Sequence, residues 1–468
     1  MDTVFLNTNP LKKSNKSESR AIITLAIPTI IAQLAQAGLG VIDTIMAGHH
    51  SAEALAAIAL GTNLFNPVIV FVIGIMLVLN PMSAQLNGKK SWGDIRALLH
   101  NGIMLSLLLV IPSFIILRSF EPLLYLLGID ASVIAVAQGY LEALSWGLPG
   151  LYLFFALRFI NEGLFSNKIV MYVALSALPL NVLVNYWFMY GGLGLAPMGA
   201  VGVGWATDVA YLYMFVILLV FTAKTSRYDH IGFFKHWPKP DVKTVKEMLK
   251  LGLPMGLSIG LEIMLFAAVG LMVGSYGIAQ MAGHQIAINI SSLGYMIPLG
   301  LSFALTARVG FHIGTGNPEQ AKRSGYLGIG MSFFIMSFNA VLLISFPTVF
   351  ASLYSEDKAV LAVATQLLFF AGLFQLSDGA QVTAMGALRG IKDTKIPMYI
   401  SAFAYWVIGF PAGYWMAEYQ GYGIRGYWMS MIFGLSVAAV MLIMRFVKLS
   451  NLKGQGQQDK HDTVVDAP

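Results

Sequence analysis

Long apolar stretches separated by short polar connectors set the rhythm of this chain. From Ala21 to Ile42 no residue is charged, and an α-helix needs about 20 apolar residues to cross the hydrocarbon core of a bilayer. Twelve such runs recur, at approximately 21–45, 60–84, 98–118, 133–155, 168–190, 200–222, 248–272, 283–306, 323–346, 360–384, 396–416 and 425–446. The pattern predicts twelve transmembrane helices and no soluble domain.

The connectors alternate in basic content. One set holds Lys12, Lys13, Lys16 and Arg20 in the N-tail and Lys89, Lys90 and Arg96 in the 85–97 loop. The same set holds Arg158 and Lys168, then seven Lys and Arg in the 223–250 linker. It continues with Arg308, Lys322, Arg323, Arg389, Lys392 and Lys395, and ends with Arg445, Lys448, Lys453 and Lys460 in the C-tail. Of 29 basic residues only Arg118, Lys358 and Arg425 fall on the opposite side. Basic residues accumulate in cytoplasmic loops, so both termini are expected in the cytoplasm. The first 20 residues are too polar for a secretory leader and read as a cytoplasmic tail.

The halves repeat. A shift of 226 residues brings Pro28 onto Pro254, Gly48 onto Gly274, Asn63 onto Asn289, Gly74 onto Gly300 and Gly88 onto Gly314. At 227, KIVMY (168–172) meets KIPMY (395–399), and Gly199 meets Gly426. An even number of spans per half makes both halves enter from the same side, which places the pseudo-twofold axis along the membrane normal. The expected organisation is an N-tail (1–20), an N-lobe of spans 1–6 (21–222), a cytoplasmic linker (223–247), a C-lobe of spans 7–12 (248–447) and a C-tail (448–468).

Composition sharpens this. With 57% hydrophobic and 11% charged residues, against about 25% charged in ordinary globular domains, the chain cannot cover a soluble surface. A net charge of +6 in a soluble chain would suggest nucleic acid; here the charge sits in the loops, and no nucleic-acid partner is expected. The absence of Cys excludes disulfides, thiolate nucleophiles and thiolate metal sites.

Candidate chemistry lies in the few polar residues inside spans. Five acids fall there: Asp43, Glu142, Asp208, Glu262 and Asp378. A charge at mid-bilayer costs a few kcal/mol and faces a cavity or a partner. No Lys or Arg is placed at mid-depth to neutralise these acids. An unpaired carboxylate there takes a proton or a cation, and either exchange suits a machine that trades an ion for a substrate. Asp43 could alternatively reach the interface, whereas Glu262, near the middle of span 7, could not. Asp378 has Ser377 and Gln381 as neutral neighbours. Glu142 and Asp208 are weaker candidates, readable as residues near cavity mouths or paired within a lobe. No two of Asp43, Glu262 and Asp378 share a helix, so a discontinuous cation site requires them to meet across a bundle.

Asn181 and Asn185, four apart, share one face of span 5. They could hold a cation or proton relay beside Asp43, or act as interhelical glue. The 24 Met and 29 Phe could form an adaptable wall for lipophilic ligands or pack against lipid. His284 lacks a second ligand at helical spacing, and Gly192–Gly204 reads as a turn feeding a packed helix. No phosphate-binding loop is present, so no ATP drive is expected.

The 6+6 layout, the DTIMAG segment (43–48) and ALRGIKDTKIPMY (387–399) resemble multidrug and toxic compound extrusion (MATE) transporters over about residues 21–447. The acid in span 1 (Asp43), two Asn on span 5 (Asn181, Asn185) and acids on spans 7 and 10 (Glu262, Asp378) are most similar to the NorM-type branch. The resemblance implies a monomeric secondary transporter of the bacterial inner membrane, with no cofactor and no enzymatic activity. It implies export of cationic or zwitterionic lipophilic compounds such as dyes and fluoroquinolone-like drugs, by antiport against Na⁺ or H⁺ with rocker-switch alternating access. It places Na⁺ at Glu262 and Asp378, with Asp43 also implicated. A flippase of related architecture is the alternative, but it is expected to line its cavity with Arg or Lys. An integral-membrane enzyme would need a His or acid constellation, and a channel would not need two lobes with asymmetric acids.

Overall fold

A computed structural model of the chain describes residues 15–126, 130–192, 194–235 and 239–465. Among them there is no strand, only an isolated bridge between Gly192 and Leu195. Twelve helices are long and apolar enough to cross a membrane, matching the twelve runs in number and order. In the first half they are span 1 (Asn15–His50), span 2 (Glu53–Lys89), span 3 (Trp92–Arg118), span 4 (Ala131–Gly163), span 5 (Asn167–Tyr190) and span 6 (Gly199–Lys224). The second half holds span 7 (Val242–Gly274), span 8 (Ile278–Gly314), span 9 (Pro318–Ser345), span 10 (Lys358–Gly390), span 11 (Lys395–Tyr419) and span 12 (Ile424–Asn451).

Most helices outrun the apolar stretch that predicts them, spans 1, 4, 8 and 10 by a turn or more. The extension matters because it carries basic residues assigned to loops into the helices. Arg158, Arg308 and Arg389 lie within spans 4, 8 and 10 and are buried.

Two spans depart from a simple helix, each near a proline. Span 2 breaks at Leu77 and Val78 between segments Ala52–Met76 and Leu79–Lys89. Pro81, with no N–H and a ring that crowds the carbonyl four residues back, stands just beyond the break. Span 11 contains wide π-helical turns at Phe403–Gly409 and Trp415–Tyr419, on either side of Pro411. Two short helices, Glu121–Leu126 and Pro347–Ser352, went unread in the sequence; they lie 226 residues apart and obey the same repeat. At the start of span 7, Asp241 accepts from the backbone N–H of Lys243 (3.0 Å) and Thr244 (3.1 Å). The hydroxyl and amide donors of Thr244 and Lys243 hold this exposed carboxyl below its ordinary range.

Buried apolar side chains form two cores, one per half. The division is not clean at the first turns of spans 1 and 7. Ile22 and Ala26 belong to the second core, and Met248 and Met255 to the first. Each lobe thus lends the start of its first helix to the other.

The lobes meet through glycines on the side that carries the basic loops. A Cβ on Gly74 would lie 2.4 Å from Gly256 Cα, and one on Gly300 would lie 2.5 Å from Ile30 Cγ1. These two contacts exchange under the 226-residue shift. So do Gly88, where a Cβ would lie 2.3 Å from Phe311 O, and Gly314, where it would lie 2.0 Å from Gln85 O. Gln85 Nε2 donates to Gly390 O at 2.8 Å across the lobes. Toward the opposite side, a Cβ on Gly40 or Gly260 would meet nothing within 4 Å.

Backbone contacts this close tolerate no side chain, so Gly314→Leu should hold the lobes apart on the basic side. The native chain has no Cys, and spin labels at Lys90→Cys and Glu319→Cys can report that separation without background. The expected result is a longer, broader distance distribution than in the labelled parent; an unchanged distribution contradicts the contact.

Candidate functional site

The N-lobe cluster is built on Asp43, well inside span 1. Asn185 Nδ2 donates to Asp43 Oδ1 at 2.7 Å, and Thr207 Oγ1 donates to Oδ2 at 2.8 Å. Asn185 Nδ2 also reaches Asn181 Oδ1 at 3.1 Å. The four-residue spacing puts both amides on one face, and all four side chains are buried. Pro179, which interrupts the hydrogen-bond ladder of span 5, stands two residues before Asn181. Tyr140 on span 4, with its hydroxyl 3.5 Å from Thr62 Oγ1, and Tyr211 on span 6 lie within electrostatic reach of Asp43.

The C-lobe cluster joins spans 7, 8, 10 and 11. Gln381 Nε2 donates to Glu262 Oε2 at 3.4 Å. Asp378 lies within the field of Glu262, and Tyr295 and Tyr405 lie within the fields of both acids. Trp406 Nε1, from the π-helical turn, donates to Leu261 O at 3.2 Å beside Glu262. Two oxygens here, Asp378 Oδ1 and Gln381 Oε1, are buried without a hydrogen-bond partner. A hard monovalent cation takes oxygen ligands of this kind.

The acids therefore do not gather at one point. Glu262 and Asp378 share the C-lobe cluster, and Asp43 forms the N-lobe cluster with Asn181 and Asn185. Among the described residues, no Lys, Arg or His within 4.0 Å forms an ion pair with Asp43, Asp208, Glu262 or Asp378. The loop assignment of one basic residue needs correcting, however. Arg389, read as a loop residue, is buried in span 10 and acts electrostatically on Glu262.

The weaker candidates divide. Asp208 is buried on span 6 against Gly147, where a Cβ would lie 1.9 Å from its Oδ1. Glu142 is exposed and meets only Gln138, at 3.4 Å, which fits the bland reading of that residue. Ser377 pairs its hydroxyl with Ser436 at 2.6 Å, which ties span 10 to span 12. His284 Nδ1 accepts from Trp428 Nε1 at 3.2 Å, a packing role.

Sequence reasoning missed Thr207, Tyr295, Tyr405 and Arg389, residue types too common in membrane helices to stand out singly. Only the contacts distinguish them. Thr207→Val keeps the shape but leaves Asp43 Oδ2 without its donor. Loss of a hydrogen bond to a charged group costs about 1.5–3 kcal/mol, so a roughly tenfold or greater loss of function dependent on Asp43 is expected. Thr207→Ser, which restores the hydroxyl, should recover most of it in the same drug-efflux assay.

Twelve spans in two lobes, with a buried acid cluster in each and close glycine contacts between the lobes on the basic side, is the architecture of an alternating-access carrier. The comparisons with known proteins agree. The family model MatE matches residues 28–187 and 254–415, one stretch in each half. Multidrug resistance protein MdtK of Yersinia pseudotuberculosis serotype O:1b (strain IP 31758) is 39% identical over 433 residues, covering 92% of this chain and 95% of that protein. MdtK of Yersinia enterocolitica serotype O:8 is 38% identical over the same length. Among solved structures, the eukaryotic MATE transporter AtDTX14 superposes with a TM-score of 0.85 at 22% identity, covering 96% of this chain and 99% of its own. An outward-facing multidrug resistance MATE transporter superposes with 0.85 at 21% identity, covering 94% and 97%. At these identities the structures show the fold alone. The chain belongs to the MATE family of transporters. It is a multi-pass membrane protein, and its family is one of carriers, not enzymes.

Proposed function

We propose that this chain is a multidrug efflux carrier that exports cationic or zwitterionic lipophilic compounds from a bacterial cytoplasm by antiport. The observation that carries the reading is the pair of buried acid clusters, one per lobe, neither closed by an ion pair. The printed names of the relatives, multidrug resistance proteins, supply the substrate class.

The two clusters suit different ions. Each oxygen of Asp43 already accepts a hydrogen bond from a neutral donor, so a metal ion would have to crowd in beside Asn185 and Thr207, whereas a proton would not. The Thr207 hydroxyl can turn from donor to acceptor, so Asp43 can gain a proton without losing a hydrogen bond. In the C-lobe, the free oxygens of Asp378 and Gln381 beside Glu262 suit Na⁺. The coupling ion is accordingly Na⁺ at Glu262 and Asp378, with H⁺ exchanged at Asp43. Asn181 and Asn185 hold the Asp43 carboxylate in place.

The cycle follows from charge. In the outward-facing state, ion binding neutralises the carboxylates and removes their attraction for a cationic drug, which leaves. On the cytoplasmic side low Na⁺ or H⁺ empties the sites, and drug rebinds. Coupling requires only that ion and drug differ in affinity between the two states.

The basic side is the cytoplasmic side on this reading. Residues 1–20 and 448–468 are cytoplasmic tails, 21–222 and 248–447 the lobes, and 223–247 the linker between them. The residues 1–14 and 466–468 within those tails lie outside the described residues. The lobes work as a monomer in the inner membrane. The test is transport of a fluorescent cationic dye in proteoliposomes under a Na⁺ gradient alone and a pH gradient alone. Uphill dye movement under either supports the antiporter; movement under neither contradicts it.

A further inference from the structure

An apolar groove opens toward the bilayer where span 1 leans on spans 8 and 9. Ile23, Ile27 and Ile30 form one wall and Tyr326, Gly330 and Phe334 the other, around a volume of about 470 Å³. From Tyr326 to Phe334 the wall rises about 12 Å along the helix. That is close to one leaflet's half of a hydrocarbon core about 30 Å thick, so the groove has the shape of a single upright acyl chain. Gly330 keeps it open. A Cβ there would meet nothing within 4 Å, so packing does not demand this glycine, and glycine is a poor helix former. The 226-residue repeat puts Met104 of span 3 at the equivalent position, a side chain long enough to fill the space.

The mouth of the groove on the basic side is cationic. Lys322 and Arg323 stand one turn before Tyr326 and Leu327, Arg20 stands one turn before Ile23, and Lys16 one turn further back on the same face. Arg323 Nε donates to Asn15 Oδ1 at 2.5 Å, which carries it from span 9 across to span 1. Among the described residues Lys16, Arg20 and Lys322 form no ion pair. Nearby acids do not cancel these charges. Glu18 is buried and accepts from Arg308 and Ser324, and Glu319, exposed in the first turn of span 9, is one charge against four.

We propose that this groove binds one anionic phospholipid, with an acyl chain between spans 1 and 9 and the phosphate held by Arg20, Lys322 and Arg323. Charge selects the occupant. A lipophilic cation arriving from the bilayer would be repelled at this mouth, and a zwitterionic lipid would gain little from it. Ile30, at the deep end of the groove, is also the residue against which Gly300 is pressed. The lipid is therefore seated against the lobe contact, apart from both acid clusters, and the site does not depend on which ion the carrier couples to.

The test measures lipid preference beside the groove. Phe333, 53% exposed and adjacent to the wall residue Phe334, is replaced by Cys in the full-length protein and given a fluorescent label. Its repeat counterpart on span 3, Leu107→Cys, is the control at 46% exposure; there Arg96 is engaged by Ile231 O. Each protein is reconstituted with brominated-chain phosphatidylglycerol or brominated-chain phosphatidylcholine in competition with the unbrominated lipids, and quenching gives the relative affinity. Basic residues at the membrane surface attract anionic headgroups, so the preference for phosphatidylglycerol should be about tenfold stronger at Phe333→Cys than at Leu107→Cys. Gly330→Met, which installs the residue of the other lobe, should bring the preference down to that of the control. So should Arg20→Gln combined with Lys322→Gln, and this pair decides alone if Gly330→Met does not fold. Equal preference at the two labels overturns the site, as does a preference at Phe333→Cys that survives either change.

Discussion

Glu262→Gln should reduce Na⁺-driven uphill efflux to background, a loss of about 100-fold or more. The substitution is nearly isosteric, and Gln381 Nε2, now 3.4 Å from Glu262 Oε2, still finds an amide oxygen to bond. What disappears is the charge. An amide oxygen alone holds a monovalent cation far more weakly than a carboxylate, and the remaining acid, Asp378, cannot provide the electrostatic well alone. The measurement is dye accumulation in proteoliposomes against an imposed Na⁺ gradient. An unchanged thermal unfolding profile of the purified variant distinguishes lost coupling from a collapsed fold. Retained Na⁺-driven efflux in this variant contradicts the C-lobe site.

Asp43→Asn should abolish the component driven by a pH gradient and leave Na⁺ binding in place. Asn185 and Thr207 donate to Asp43 at 2.7 and 2.8 Å, and an Asn at this position keeps one acceptor for them. The cluster therefore stays packed but cannot exchange a proton. Because the two acid clusters lie in separate lobes with separate hydrogen-bond partners, the defects of Asp43→Asn and Glu262→Gln should fall on different gradients. Additivity is the rule for sites that share no partners. If either variant removes both driving forces equally, the clusters are one functional unit and the division of ions is wrong.

Much of the architecture is legible in the sequence. Twelve apolar runs of bilayer length force twelve helices, because no other backbone satisfies its own hydrogen bonds in hydrocarbon without closing a barrel. The repeat is readable because Pro, Gly and Asn matches recur at a near-constant offset, and the close contacts of Gly74 with Gly256 and of Gly300 with Ile30 explain part of it: the same close lobe contact is made twice. Helix ends were harder. Arg158, Arg308 and Arg389 look like loop residues because the apolar run stops before them. Their helices continue, and partners such as Glu162 for Arg158 at 2.8 Å and Glu18 for Arg308 at 2.5 Å let the charge remain inside.

The acids themselves stood out, since a charge in an apolar run is visible letter by letter. Their grouping was not legible. Span 7 meets span 10 around Glu262 and Asp378 while span 1 meets spans 5 and 6 around Asp43, and that choice is made by tertiary packing that no local pattern encodes. Thr207 and Tyr405 illustrate the same limit. A hydroxyl in a membrane helix is ordinary, and only its neighbour makes it part of a site.

The most direct measurement loads proteoliposomes containing wild type, Asp43→Asn or Glu262→Gln with a fluorescent cationic dye and imposes one gradient at a time. Two-site antiport predicts uphill dye movement in wild type under either gradient, selective loss of the Na⁺-driven part in Glu262→Gln, and selective loss of the pH-driven part in Asp43→Asn. Dye that moves only down its own gradient in wild type, whatever ion is imposed, contradicts it.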